Sequence, residues 1–135
     1  MNDIKQIDHI GIAVKNLDES IDLYRKLGFK ISSTEEVPDQ KVKIAFVETG
    51  ESRIELLEPS SPKSPIAKFI VKKGPGIHHM AVQVDDLKAK LTQLKKDGIR
   101  LIDKQPRSGS HGLLIAFIHP KATDGVLLEL CEKSD

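Results

Sequence analysis

The chain contains itself twice, and this repeat constrains its fold more than any other feature. Residues 8–17, Asp-His-Ile-Gly-Ile-Ala-Val-Lys-Asn-Leu, align with residues 78–87, His-His-Met-Ala-Val-Gln-Val-Asp-Asp-Leu, at a spacing of 70. In both, a histidine stands second, an apolar stretch follows, and a polar pair precedes a leucine. Residues 53–58, Arg-Ile-Glu-Leu-Leu-Glu, match residues 127–132, Leu-Leu-Glu-Leu-Cys-Glu, at a spacing of 74. Two registers that differ by only a few loop residues indicate a duplicated unit.

The segments between the matched ends repeat as well. Asn16-Leu17-Asp18-Glu19 resembles a helix-capping box. Ile21, Tyr24 and Leu27 then recur at helical spacing until Gly28 supplies a stop. In the second copy Leu87, Leu91 and Leu94 form the apolar stripe and Gly98 ends it. Three strand-like runs follow each helix, at 29–37, 42–48 and 52–58, then at 99–104, 113–118 and 126–132. Ser64-Pro65 reads as a cap and first helical residue for a short connecting helix at 66–72. The pattern predicts an α+β chain of two tandem βαβββ modules whose strands pair into an eight-stranded, curled mixed sheet around a cleft. The expected organisation is one domain over 1–135, with module 1 at about 5–60, the linker helix at about 61–75 and module 2 at about 76–133.

Composition narrows the function classes. A net charge of +1 with both signs interspersed, and no tryptophan, argues against nucleic acid as a partner. Apolar runs fall far short of the roughly 20 residues that cross a bilayer, so no membrane partner is expected. Residues 1–5 lack a signal-peptide core, and the single cysteine, Cys131, excludes an intramolecular disulfide. These features predict a cytoplasmic protein, with Cys131 as a small buried residue of the last strand.

The repeat-matched polar residues are His9 and His79 on first strands, and Glu55 and Glu129 on last strands. One side chain in two along a strand faces a given side, so all four can project into one cleft. A carboxylate in an apolar strand is costly to bury without a partner. Two neutral imidazoles and two carboxylates balance a divalent cation, and donors without thiolate suit Co, Ni, Zn, Mn or Fe(II). The four residues are therefore the expected metal ligands. His78, on the alternate face, reads as structural.

The βαβββ repeat with His and Glu ends resembles the vicinal oxygen chelate (glyoxalase) superfamily. Longer stretches, Ser64-Pro65-Ile66-Ala67-Lys68-Phe69, Gly76-Ile77-His78-His79-Met80-Ala81-Val82 and Phe117-Ile118-His119-Pro120-Lys121, look like the methylmalonyl-CoA epimerase family over essentially the whole chain. The resemblance implies the glyoxalase-like fold and an isomerase that interconverts (2R)- and (2S)-methylmalonyl-CoA. It also implies a divalent metal, commonly cobalt, with Zn²⁺, Ni²⁺ or Mn²⁺ as substitutes, and no organic cofactor. The acyl-CoA thioester is the expected partner, and a homodimer the expected assembly.

Glu129 is the expected acid/base. A glutamate of some members in the third strand of module 1 is matched here by Lys43, while Glu48 lies on the face opposite Lys43, so the opposite-face base is unassigned. The small residues of Ser108-Gly109-Ser110-His111-Gly112 suit backbone binding of a carboxylate. His119 is expected to shape a turn, and Lys121 to lie where CoA phosphates could be met. The alternatives are a glyoxalase I-like lactoylglutathione lyase and a non-catalytic small-molecule-binding or resistance protein.

Overall fold

Eight strands and three helices follow the duplicated pattern in the computed structural model, which describes residues 3–132. The chain divides into two compact units. His9–His78 forms one, and the described parts of Met1–Asp8 and His79–Asp135 form the other.

The first unit contains β1 (Ile7–Ala13, entering at His9), α1 (Leu17–Lys26), β2 (Lys30–Val37), β3 (Val42–Thr49), β4 (Ser52–Pro59) and α2 (Pro65–Lys73). Its strands run in the order β2-β3-β4-β1, with β1 parallel to β4 and the other neighbours antiparallel. The Asn16 side chain accepts the Glu19 N–H at 2.9 Å and starts α1. Asp18 and Glu19 in its first turn, with Arg25 and Lys26 in its last, complement the helix dipole. A second acceptor arrives from far along the chain, where Glu58 Oε2 takes the Leu17 N–H at 2.7 Å. Helix α1 covers one sheet face over Val14, Leu17, Ala45, Val47 and Leu56. On the other face Ile66 of α2 packs with Ala13, Val42, Ile44, Phe46 and Leu57.

The second unit contains β5 (Gly76–Val84, entering at His79), α3 (Leu87–Lys96), β6 (Arg107–Ser108), β7 (Leu114–Ile118) and β8 (Leu128–Glu132). The strand order is β5-β8-β7-β6, with β5 parallel to β8 and the rest antiparallel. Asp86 caps α3 through the Ala89 N–H, and Glu132 Oε1 accepts the Leu87 N–H at 3.1 Å. Val82, Val84, Leu87, Leu91, Ala116, Ile118 and Leu130 form the core beneath α3. The N-terminal segment completes this unit: Lys5 N–H donates to the Gln83 carbonyl, Gln83 N–H donates to the Gln6 carbonyl, and the Gln83 side chain donates to Asp8.

One expected strand does not form. Residues 99–104 make only an isolated bridge, between Leu101 and Ile118, and the ladder resumes at the two-residue β6. The cause is Asp103, whose carboxylate accepts the Phe117 N–H at 2.9 Å. A side chain thus takes the place of the carbonyl that a regular neighbouring strand would offer. The connecting helix extends one residue beyond its expected ends on each side. Among the described residues no helix is long and apolar enough to cross a membrane.

Candidate metal centre

In the first unit, register determines which side chains share the face of β4 that carries Glu55. His9 lies beside Arg53 on β1, Phe46 stands opposite Glu55, and Glu48 stands opposite Arg53. His9 Nδ1 lies 3.3 Å from Glu55 Oε2, and both residues are only 3% exposed. That same oxygen accepts two hydrogen bonds from Arg53, from Nε at 3.0 Å and Nη2 at 2.6 Å. The Arg53 guanidinium also lies 5.6 Å from the centroid of the Phe46 ring. The buried carboxylate is thereby paired by charge, as burial requires.

The second unit repeats the plan with different support. His79 Nε2 lies 3.4 Å from Glu129 Oε1, with both residues buried. Phe117 stands opposite Glu129 on β7 and meets the His79 ring edge-on, with centroids 5.7 Å apart. Arg107 lies over Phe117 at 5.4 Å, as Arg53 lies over Phe46, but its ion pair at 3.4 Å is with Asp103. The other Glu129 oxygen, Oε2, accepts the Cys131 thiol at 3.2 Å.

These pairs fit a divalent ion in chemistry and spacing. Ligand atoms held about 2.1 Å from one metal are separated by about 3.0–3.4 Å from each other in octahedral or tetrahedral arrangements. The observed His–Glu separations of 3.3 and 3.4 Å fall in that range. Imidazole nitrogen with carboxylate oxygen also suits borderline divalent ions.

The remaining sequence positions sort clearly. Lys43 is exposed and in register with Glu36 and Glu58. Glu58 faces the N-terminus of α1, so Lys43 lies on the α1 side of the sheet, away from Glu55. Its strand neighbour Ile44 shares the Glu55 face. Glu48 is on that face too, half-exposed, with its carboxylate 3.4 Å from Lys30.

His78 alternates with His79 along β5. It meets Phe69 edge-on at 5.0 Å, and burial, aided by the nearby Lys73 charge, lowers its pKa from 6.5 to about 4. His119 Nδ1 accepts the Lys121 N–H at 3.1 Å and starts the turn Pro120–Ala122, while Lys121 is exposed. His111 is exposed and adopts a left-handed φ of 57°. Gly109 lies against Ile115, which shares the Glu129 face through its pairing with Cys131, so the small-residue loop packs on that side.

Sequence reasoning passed over Arg53, Cys131 as a partner of Glu129, and the capping glutamates Glu58 and Glu132. The first two carried a signal, since each stands two residues from a matched glutamate and so shares its face. Glu58 and Glu132 are themselves repeat-matched, three residues beyond Glu55 and Glu129, which puts them on the opposite face.

Comparison with known proteins agrees with this architecture. Residues 8–117 match the family described as the Glyoxalase/Bleomycin resistance protein/Dioxygenase superfamily. The mitochondrial methylmalonyl-CoA epimerase of Dictyostelium discoideum is 41% identical over 133 residues, covering 96% of this chain and 80% of that protein. The ethylmalonyl-CoA/methylmalonyl-CoA epimerase of Cereibacter sphaeroides is 37% identical, covering 94% of this chain and 97% of that one. A solved methylmalonyl-CoA epimerase in complex with methylmalonyl-CoA and NH4+ superposes with a TM-score of 0.92, at 37% identity, over 98% of this chain and 96% of that one. The described residues therefore have the glyoxalase-like α+β fold, and the chain belongs to the methylmalonyl-CoA epimerase family of the glyoxalase superfamily.

Proposed function

We propose that the protein is an isomerase that interconverts (2R)- and (2S)-methylmalonyl-CoA by removing and replacing the proton at C2. The observation that carries this reading is the pair of repeat-matched, buried His–Glu sets in a chain of the epimerase family. In this reading His9, Glu55, His79 and Glu129 hold one divalent ion, with Co²⁺ first among the ions to test and Zn²⁺, Ni²⁺ and Mn²⁺ after it. Such an ion supplies Lewis-acid stabilisation of the negative charge that develops when C2 is deprotonated.

The chain's own residues supply the proton transfer on one face, the group on the opposite face being unassigned. Glu129 moves the proton at C2, as a carboxylate whose Oε2 accepts the weak thiol donor of Cys131. Glu55 is held on one oxygen by Arg53 and serves as a fixed donor. Phe46 and Phe117, each opposite one of the carboxylates, exclude water and keep the reacting carboxyl groups in a low-dielectric setting. Lys43, on the α1 side of its sheet, takes no part. The substrate is a small acyl-CoA thioester. A cytoplasmic homodimer belongs to the same reading, and sedimentation of the purified protein tests the assembly.

The deciding experiment follows methylmalonyl-CoA in D₂O by NMR with cobalt-loaded protein and a Glu129→Ala control. Metal-dependent deuterium uptake at C2, lost in the control, is the expected result. Folded, metal-loaded protein that exchanges nothing at C2 removes the epimerase assignment.

A further inference from the structure

Arg53 is tied directly to a proposed ligand carboxylate, with two donated hydrogen bonds to Glu55 Oε2. The geometry has a charge consequence. Two glutamates would neutralise a divalent ion, but an arginine bonded to one of them offsets a unit of that negative charge. In the second unit the arginine over the equivalent phenylalanine, Arg107, pairs with Asp103, and the Glu129 carboxylate receives a neutral thiol.

We infer that Arg53 is a positioning residue that compensates the charge of Glu55, so that the ion keeps a net positive charge for an anionic substrate. This inference rests on the proposed metal site. Three observations support the role. The guanidinium side chain is only 23% exposed, so its charge is weakly screened. Both donors converge on Oε2, the same oxygen that lies 3.3 Å from His9 Nδ1. The Phe46 ring lies beneath the guanidinium and keeps it beside the carboxylate. A lysine at this position would keep the charge but lose the paired donors.

The test is calorimetric titration of the metal-stripped protein with CoCl2, for wild type, Arg53→Met, Arg53→Lys, Glu55→Gln and the Arg53→Met/Glu55→Gln double variant. Thermal melts without metal check that each is folded. Removing a unit charge close to a divalent ion is expected to change its Kd by about tenfold. Arg53→Met should therefore tighten Co²⁺ binding by about that factor, while Arg53→Lys stays close to wild type. Glu55→Gln should weaken binding by about tenfold or more, and adding Arg53→Met to it should recover most of the loss. A Kd that Arg53→Met leaves unchanged in both backgrounds overturns the compensation role and leaves the metal site standing. Wild-type protein that takes up no Co²⁺ overturns the metal site and the compensation role together.

Discussion

The Cys131 thiol donates to Glu129 Oε2 at 3.2 Å, with both residues buried on one face of β8. The residue expected to be a simple small core side chain is thus in contact with the proposed proton-transfer group. At 2% exposure it should be silent to Ellman's reagent in native protein and titrate as one thiol in denaturant. Cys131→Ala should remain folded yet exchange the C2 proton more slowly, because Glu129 loses a fixed donor. Rapid labelling of the native protein would contradict the burial.

The two capping glutamates should contribute to stability and leave the chemistry alone. Glu58 and Glu132 each accept the first N–H of a helix from the far end of a module. Losing such a cap costs about 0.5–2 kcal/mol. Urea denaturation of Glu58→Ala and Glu132→Ala should show losses of that size, with Co²⁺ affinity unchanged. Equal stability in either variant would mean the contact contributes nothing.

Gly109 is required by packing rather than by backbone conformation. A Cβ added there would stand 2.8 Å from Ile115 Cγ2, and Ile115 is buried on the Glu129 face. Gly109→Ala should cost about 1–3 kcal/mol through overpacking and raise the KM for substrate by displacing the loop. Gly109→Ala with Ile115→Val should recover part of both. A Gly109→Ala protein with wild-type stability and KM would show that the loop yields freely.

His78 should make stability fall in acid. Its folded pKa, about 4, lies below the 6.5 of the free side chain, so the unfolded chain binds the extra proton between those values. The stabilisation is full above about pH 6.5 and is lost as pH drops towards 4, by on the order of 2 kcal/mol. His78→Phe keeps the aromatic contact with Phe69 and should flatten this part of the urea stability profile between pH 7 and 4.5. An identical slope in the variant would move the effect elsewhere.

The repeat made most of the fold legible, because it supplies a second copy of every boundary. His9, Glu55, His79 and Glu129 could be picked out since each is anomalous in its strand and matched by a partner. The side of β3 was harder to read. Alternation says that Lys43 and Glu48 face opposite ways, but which of them shares the Glu55 face depends on pairing between β3 and β4. The stretch 99–104 has the apolar content of a strand, and only the side-chain bond from Phe117 N–H to Asp103 reveals why it is not one. Arg53 was visible beside Glu55, yet nothing in the letters shows that its guanidinium turns back onto that carboxylate.

The strands β1 and β5 each pass from one unit to the other within a single residue step, at His9 and His79. The segment ending at Asp8 therefore belongs to the same unit as the residues from His79 onward. The first unit is continuous from His9 to His78, whereas the segment ending at Asp8 takes its hydrogen bonds from Gln83 on β5. A cut between residues 78 and 79 would leave the C-terminal fragment without the chain that donates to Gln83. Splitting the protein into its two ancestral copies would thus give one near-complete unit and one lacking part of its sheet. The duplication is encoded in tandem, but its products are joined by exchange of their ends.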